Sequence, residues 1–482
     1  MNKDSSGANS GASKQGDSKG SGKKVDVQFD QDLYAKRKKI FPRQVHGLFA
    51  RLRVMGVLLL MGIYYGVPWL MWDGRQAVLW DLPNRKFHIF GMTFWPQDFI
   101  YLSAFLIIAA LSLFFFTALA GRLWCGYACP QTVWTEVFLW IERKVEGDRG
   151  RQIKLDKSEW NSNKLIRKSI KHFLWVALSL WTGYTFVGYF APIRELGEAV
   201  LTFSTGPWET FWILFYGFAT YGNAGWLREQ VCMYMCPYAR FQSAMFDPDT
   251  LIISYDKSRG EPRGARKKSV DPKDLGLGSC INCTICVQVC PTGIDIRDGL
   301  QYECIGCAAC IDACDDVMDK IGYEPGLIRY TTENRLEGRP SKILRPRILV
   351  YGIILIVLLM SAFYGIYQRS PLGLDVIKDR NTLYRETNSG QVENVYTLKI
   401  LNKDNAAHTY ALEIKSELPF KLLLDTDVIQ VGAGGVGELT ARARIDPYVL
   451  KTQSVELIFV LTTLEQPSVI ATEVARFVGP VN

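Results

Sequence analysis

The stretch "GSCINCTICVQVCPTGIDIRDGLQYECIGCAACIDAC", from Gly278 to Cys314, contains eight of the twelve cysteines in this chain of 482 residues. They form two blocks with one spacing, C-x-x-C-x-x-C-x-x-x-C, and the first block is followed by a proline. Structural zinc sites use paired C-x-x-C motifs, but they do not require a triplet followed by a fourth cysteine. The doubled triplet therefore favours two iron–sulfur clusters over two zinc sites.

This spacing is typical of bacterial two-cluster ferredoxins, in which three cysteines of one block and the last of the other hold each 4Fe–4S cluster. The predicted cluster-one cysteines are Cys280, Cys283, Cys286 and Cys314. The predicted cluster-two cysteines are Cys304, Cys307, Cys310 and Cys290. Asp315 stands where the second block would usually have a proline. We expect its negative charge to lower the potential of cluster one, because negative charge opposes reduction.

Five other stretches are long enough to cross a bilayer, at about 20 residues without a charged side chain. They are residues 54–72, 99–120, 172–193, 210–227 and 348–367. Lysine and arginine are dense before the first, between the second and third, and between the fourth and fifth. Because these residues are retained in the cytoplasm, we expect five crossings that begin inside. The net charge of +8 then comes mainly from lysines and arginines that mark the cytoplasmic segments next to anionic lipid. We find no nucleic-acid-binding module.

The remaining four cysteines lie in two copies of a C-x-x-x-C-P motif with a central tyrosine. These are "CGYACP" at 125–130, the first thiol motif, and "CMYMCP" at 232–237, the second thiol motif. Each copy follows an even-numbered predicted crossing, so the unit is an internal repeat. Thiols at i and i+4 share one helix face, with Cβ atoms about 5–6 Å apart. The proline should end or kink the helix just after the second thiol.

We call Cys125, Cys129, Cys232 and Cys236 the membrane-edge cysteines and predict that they form a redox or metal site, with Met235 on the same face. Thiolate and thioether sulfurs prefer Cu(I). A third iron–sulfur cluster or a thiol/disulfide couple would use the same four thiols. The alternative is that these residues have no chemical role and are buried small side chains and lipid-facing methionines. All twelve cysteines lie on segments expected in the cytoplasm or at its membrane face, where thiols stay reduced.

The C-terminal region changes character after the fifth predicted crossing. Apolar and polar residues alternate in "ENVYTLKILNKDN", "HTYALEIKSEL" and the segments that follow, between Asn, Gly and Pro turns. Short strands at this spacing predict an antiparallel sandwich of about 100 residues. The "GAGGVGE" loop precedes no helix, so a phosphate-binding loop is not expected. The region is typical of a docking module.

The sequence thus predicts a multi-domain membrane protein. Its fold class is an α-helical transmembrane bundle of five helices, with a bacterial two-cluster ferredoxin-like insert and a C-terminal immunoglobulin-like β-sandwich. The predicted parts are a disordered polar and basic cytoplasmic tail at 1–45, a four-helix membrane domain with both thiol motifs at 46–245, a cytoplasmic ferredoxin-like domain at 246–345, the fifth transmembrane helix at 346–370 and a periplasmic sandwich at 371–482.

This combination resembles the FixG/RdxA/CcoG family of accessory proteins for cbb3-type cytochrome c oxidase, over nearly the whole chain after the polar tail. The resemblance implies a multi-pass protein of the bacterial inner membrane, and an oxidoreductase that reduces Cu(II) to Cu(I) for oxidase assembly. Two 4Fe–4S clusters are the implied cofactors and copper is the substrate ion. The expected partners are membrane lipid, oxidase subunits or copper-delivery proteins, and an electron donor that the sequence leaves open, as it does the oligomeric state.

In this interpretation the clusters pass electrons towards copper held near Cys125, Cys129, Cys232 and Cys236, which are then the catalytic residues. Two other functions remain. A membrane quinol dehydrogenase similar to NapH also pairs C-x-x-x-C-P motifs with ferredoxin clusters, but its pattern has four crossings and no exported domain. A non-redox assembly scaffold would use the sandwich to hold partners, while the clusters only stabilise the fold.

Overall fold

The computed structural model describes residues 39–266, 272–404, 406–426, 428–465 and 467–480. Most of the tail predicted at 1–45 therefore lies outside the described residues. From residue 41 onwards the described chain forms one compact unit.

Three helices in the described part of the chain are long and apolar enough to cross a membrane. They are Leu48–Trp69, Pro96–Ala120 and Pro346–Tyr367. Few of their residues are buried against the rest of the protein, as expected for surfaces that lipid covers. They match the first, second and fifth predicted crossings, although the first helix begins at Leu48 and not at residue 54.

The third and fourth predicted crossings form helices Ser162–Val187 and Pro207–Thr220, the second of which continues as a π-helix, Tyr221–Leu227. The first of these helices is long enough, at 26 residues, but less apolar than the other three, because it begins with several lysines. The second has only 14 residues before Gly and Asn interrupt it. The two helices pack closely. A Cβ on Gly183 would lie 2.2 Å from the carbonyl oxygen of Ile213. Such contact through small residues is common between membrane helices, and their crossing of the bilayer stays a prediction.

Shorter elements connect these helices. The remaining α- and π-helices of the described residues are Leu123–Tyr127, Pro130–Glu146, Arg149–Lys157, Ile193–Leu201, Val231–Met235 (a π-helix), Pro237–Met245, Lys257–Gly260, Ile285–Val289, Ala309–Ile321 and Glu333–Leu336. Short 3-10 helices are formed by Pro272–Leu275, Ile296–Asp298 and Pro447–Val449. Between the first two membrane helices the chain forms a hairpin, Met71–Trp72 with Arg75–Gln76, and a three-stranded meander, Val78–Asp81, Lys86–Ile89 and Met92–Phe94. These strands were not predicted from the sequence.

The cysteine-rich insert is built on one antiparallel strand pair, Ile252–Tyr255 with Ile328–Thr331. The strand pair packs against helix Ala309–Ile321 around buried Ile253, Met318 and Leu327. The two strands bracket the insert in sequence, so they close it into a unit whose loops and short helices carry all eight clustered cysteines.

The C-terminal region is a sandwich of two antiparallel sheets, as predicted. One sheet has the order Lys421–Leu424, Val436–Ile445, Val392–Asn402 and Leu372–Lys378, with Arg385–Glu386 also paired to Val392–Asn402. The other has the order Ile429–Val431, His408–Lys415, Ser454–Thr463 and Ile470–Val478. Between the sheets, Tyr396, Phe459 and Phe477 are completely buried. Alternate residues of each strand face this core, which explains the period-two pattern of the sequence.

Candidate functional site

The four cluster-one cysteines line a single cavity of about 370 Å³ in the insert. Cys280 and Cys283 come from an extended loop, Cys286 from helix Ile285–Val289 and Cys314 from helix Ala309–Ile321. The cavity wall is completed by apolar side chains and by Tyr255 and Arg297. Of the twelve cysteines, all of which lie in the described residues, Cys283 alone is exposed.

The four cluster-two cysteines line a second cavity of about 340 Å³. Cys304, Cys307 and Cys310 come from the second block and Cys290 from the first, so each cavity takes three thiols from one block and one from the other. The structure thus gathers the two ligand sets that the spacing predicts, with Cys286 also touching the second cavity.

The two cysteine loops have matching backbones. Thr284 and Ala308 follow the second cysteine of each block, and both have a left-handed conformation with φ of 58°. Non-glycine residues rarely adopt this conformation, which costs about 1–2 kcal/mol each. Each of these residues is the N-cap of the helix that carries the third cysteine of its block. The strained turn therefore aims three thiols of each block at one cavity.

The chemistry of the thiols fits a bound metal cluster. Burial raises the pKa of Cys286 to about 11 and that of Cys304 to about 12. A thiol with such a pKa stays protonated at neutral pH unless a cation stabilises its thiolate. Iron in a 4Fe–4S cluster supplies that charge, and each cavity offers the four thiols that a cluster requires.

Both thiol motifs form a joint between two helices. Cys125 lies in helix Leu123–Tyr127, whereas Cys129 is extended and precedes helix Pro130–Glu146. Cys232 lies in the π-helix Val231–Met235, and Cys236 is extended before helix Pro237–Met245. The prediction of two thiols on one continuous α-helical face is therefore wrong in detail. A residue before proline is held out of the α region, so each helix ends before its second cysteine.

The four membrane-edge cysteines nevertheless lie in one neighbourhood. The Cys125 thiol donates to Oε1 of Gln242 (3.4 Å), a buried residue on the helix that follows the second thiol motif. Burial raises the pKa of Cys232 to about 12, and the charges of Cys129, Cys125 and Cys236 add to this effect. Among the described residues, no three His, Cys, Asp or Glu side chains are close enough to hold one metal ion.

Met235 does not share the environment of these thiols. Its side chain is 59% exposed, whereas the four membrane-edge cysteines are half-buried. The π-helix has a longer turn than the α-helix on which the prediction was based. The structure therefore gives no support to Met235 as a ligand.

The first thiol motif contacts the cluster-two loop directly. A Cβ on Gly126 would lie 2.8 Å from the carbonyl oxygen of Gly306 and 2.9 Å from the backbone of Cys307. Only a glycine lets the two backbones approach this closely. The hydroxyl of Tyr330 donates to the Gly306 carbonyl (2.7 Å) and lies 3.4 Å from the hydroxyl of Tyr127. The loop of the first thiol motif is thus packed directly against the loop that carries the cluster-two cysteines.

A buried ion network beside the first thiol motif was missed from the sequence. Glu142 accepts from Arg228 (2.8 Å) and pairs with Lys171 (3.3 Å), and Glu146 pairs with Lys171 (2.8 Å) and Lys168 (3.1 Å). Both carboxylates have side chains no more than 1% exposed. Two carboxylates on one helix face, Glu142 and Glu146, could have indicated a buried ion pair. Their partners could not be identified, because these are far away in sequence.

Comparison with known proteins identifies three regions. Residues 227–333 match a family described as a 4Fe-4S dicluster domain, and residues 102–146 match a 4Fe-4S binding domain. Residues 362–480 match the IG-like fold at the C-terminal of FixG. The predictions of iron–sulfur domains and of an immunoglobulin-like C-terminal domain are confirmed.

Relatives cover most of the chain. Protein RdxB of Cereibacter sphaeroides is 42% identical over 409 residues, which are 82% of this chain and 85% of that protein. Nitrogen fixation protein FixG of Rhizobium meliloti is 39% identical over 420 residues, which are 80% of each. A crystal structure of a FixG-related protein from Vibrio parahaemolyticus aligns with 23% of this chain and 100% of its own, at 31% identity and a TM-score of 0.22. With such identity over this share of its relatives, the chain belongs to the FixG, RdxA and RdxB family of iron–sulfur membrane proteins.

Proposed function

We propose that this protein is a multi-pass inner-membrane cupric reductase, which converts Cu(II) to Cu(I) for copper insertion into a cbb3-type oxidase. One observation carries the proposal: the membrane-edge cysteines are a set of soft ligands whose loop lies against Cys307 of the cluster-two cysteines. A site that binds Cu(I) more tightly than Cu(II) makes reduction of copper more favourable there. The catalytic residues are then Cys125, Cys129, Cys232 and Cys236.

The roles of the residues follow from their positions. The cluster-one and cluster-two cysteines would hold the two 4Fe–4S clusters, which supply one-electron transfer. The membrane-edge cysteines would bind the copper ion as substrate, and each Cu(II) takes up one electron to become Cu(I). A reduced one-electron carrier of the cytoplasm restores that electron. The half-burial of these thiols supports a site that keeps copper from bulk water yet lets it enter.

The proposed orientation puts the N-terminus and the insert in the cytoplasm and the sandwich in the periplasm. The excess of lysine and arginine in the expected cytoplasmic segments supports it. Oxidase subunits or copper-delivery proteins would then dock on the sandwich. A reporter that folds only in the periplasm, fused after residue 480, should be active. An inactive fusion in cells that make full-length protein would contradict this orientation.

The test of cupric reduction uses full-length protein purified without oxygen. The protein is reduced with dithionite, freed of reductant and mixed with Cu(II), and EPR follows the Cu(II) signal. We expect this signal to disappear as the clusters are oxidised. A variant with all four membrane-edge cysteines changed to Ser should slow the reaction by at least the roughly 10- to 100-fold that loss of supporting metal-site residues costs. Tyr234→Phe, in the second thiol motif, serves as the control. Equal rates in the quadruple variant and the control would refute the copper site.

A second candidate keeps electron transfer but places a third cluster at the membrane-edge cysteines. The match of residues 102–146 to a 4Fe-4S binding domain favours it, because this segment contains only Cys125 and Cys129 of the twelve cysteines. Iron and sulfide analysis separates the two candidates. Two 4Fe–4S clusters give about eight irons per chain and three give about twelve. If quinol reduced the clusters rapidly and copper had no effect, a quinol dehydrogenase would replace both.

A further inference from the structure

Two arginines place positive charge on the loop of the cluster-two cysteines. Arg122 has only 7% of its surface exposed, and its guanidinium donates to the carbonyls of Tyr302 and Cys304 (3.1 Å to the latter). Arg53, on the first membrane helix, donates to the carbonyl of Cys307 (2.5 Å). Each arginine therefore reaches the insert from the membrane domain and ends at the backbone of a predicted ligand.

Arg122 also connects both thiol motifs to this loop. It is the residue before helix Leu123–Tyr127, which carries Cys125, and its other terminal nitrogen donates to the carbonyl of Ala239 (2.5 Å). Ala239 lies on the helix that follows the second thiol motif. Glu136, whose charge opposes that of Arg53 at Cys307, pairs with Arg143 at 2.9 Å. The carboxylates of Glu303 and Asp312 also stand beside the cluster-two cysteines in sequence, so the two arginines act on this loop against nearby negative charge.

The surroundings of the cluster-one cysteines have a different balance. Arg297 lines their cavity, but Asp295 holds it in an ion pair (Nε to Oδ1, 2.8 Å) that cancels most of its charge. Asp315 follows Cys314 directly and acts on it as a negative charge. Its Oδ1 accepts from the backbone amide of Gly326 (2.8 Å), which fixes the carboxylate in place. Arg266 donates to the carbonyl of Ser279 (3.1 Å), directly before Cys280, so charges of both signs surround this loop.

We infer that Arg53 and Arg122 are the positioning residues that raise the midpoint potential of the cluster bound by the cluster-two cysteines while docking it on the first thiol motif, whereas Asp315 lowers the potential of the other cluster. Reduction adds negative charge to a cluster, so nearby positive charge stabilises the reduced form and nearby negative charge opposes it. These two effects would favour electron flow from the exposed side, at Cys283, towards the membrane edge. Only this direction rests on the proposed function, since the potentials are properties of the chain without copper.

The experiment is an EPR-monitored redox titration of the full-length protein, purified without oxygen and without copper. The variants are Arg53→Gln, Arg122→Gln and Asp315→Asn. Arg167→Gln is the matched control, because Arg167 also donates to a backbone carbonyl, that of Val145 (2.8 Å), and contacts no cysteine loop. We expect both arginine variants to lower the potential of the same cluster and to leave the other cluster unchanged. Asp315→Asn should raise the potential of the other cluster, and the control should change neither.

Three results would overturn the inference: arginine variants that shift different clusters, arginine and Asp315 variants that shift the same cluster, or no shift in any variant. If Arg122→Gln loses iron, Arg53→Gln decides, because Arg53 is half-exposed and makes one hydrogen bond to the loop. The titration contains no copper. A failure to reduce Cu(II) therefore leaves these shifts in potential untouched, and the absence of any shift leaves cupric reduction untouched.

Discussion

The cluster cysteines and the membrane-edge cysteines reach their positions in different ways. Each block of the insert brings three thiols to its cavity through one tight turn, with a left-handed residue at Thr284 or Ala308. The membrane-edge cysteines come from segments about one hundred residues apart and meet only because the two repeats pack against each other. The first site is encoded locally, whereas the second depends on the tertiary structure of the membrane domain.

The strongest test of this difference removes one thiol from each region. Cys307→Ser should abolish cluster two and lower iron by about four atoms per chain, because a cluster needs its four thiolates. Cys129→Ser should leave the iron content unchanged if the membrane-edge cysteines bind copper. Iron and sulfide analysis of both purified variants measures these changes in cluster content. Loss of iron in Cys129→Ser would indicate a third cluster and would make the two regions alike.

The packing of the two repeats should depend on the buried ion network. Replacing Glu142 by Gln removes the carboxylate that pairs with buried Arg228 and leaves Lys171 paired with Glu146 alone; breaking a buried pair in this way typically costs about 3–5 kcal/mol. We expect thermal unfolding in detergent at a clearly lower temperature, together with weaker cupric reduction. Asp316→Asn is the control, because Asp316 pairs with Lys320 on the surface, where such pairs contribute about 0–1 kcal/mol. Equal stability of the two variants would mean that the network does not hold the repeats.

A smaller effect is expected where the two regions touch. Gly126→Ala inserts a methyl group against the backbone of Gly306 and Cys307, and overpacking of this kind costs about 1–3 kcal/mol. The EPR spectrum of one cluster should change while the other keeps its line shape. Gly62→Ala is the matched control, because no atom lies within 4 Å of a Cβ built there. Unchanged spectra in Gly126→Ala would argue against a tight contact between thiol motif and cluster loop.

The smallest expected effect concerns the first membrane helix. Both carboxylate oxygens of Asp312 accept backbone amides at its start, from Phe49 (3.2 Å) and Ala50 (2.7 Å). Asp312→Ala removes this cap, and such losses cost about 0.5–2 kcal/mol. Hydrogen exchange should become faster for amides at the start of this helix and stay unchanged in helix Pro346–Tyr367. Uniform exchange in wild type and variant would show that the cap contributes nothing.

The sequence predicted what depends on spacing and composition. The two sets of cluster cysteines, the three most apolar helices and the alternating strands of the sandwich are local patterns, and the structure has them where they were expected. It did not predict what depends on distant partners. The ion network joins Glu142 to Lys171 and Arg228, and Arg122 reaches a carbonyl 182 residues away. Met235 is exposed, and a single turn of π-helix replaces the α-helix on which its predicted face depended.

Helix Ala309–Ile321 carries a predicted ligand of each cluster, Cys310 and Cys314, and between them the carboxylate of Asp312 that caps the first membrane helix. The predicted cluster sites and the start of a membrane helix therefore meet on one turn of helix. A substitution that shifts this turn is expected to disturb the membrane helix as well, so iron content and insertion into the bilayer should be measured together in any variant of it.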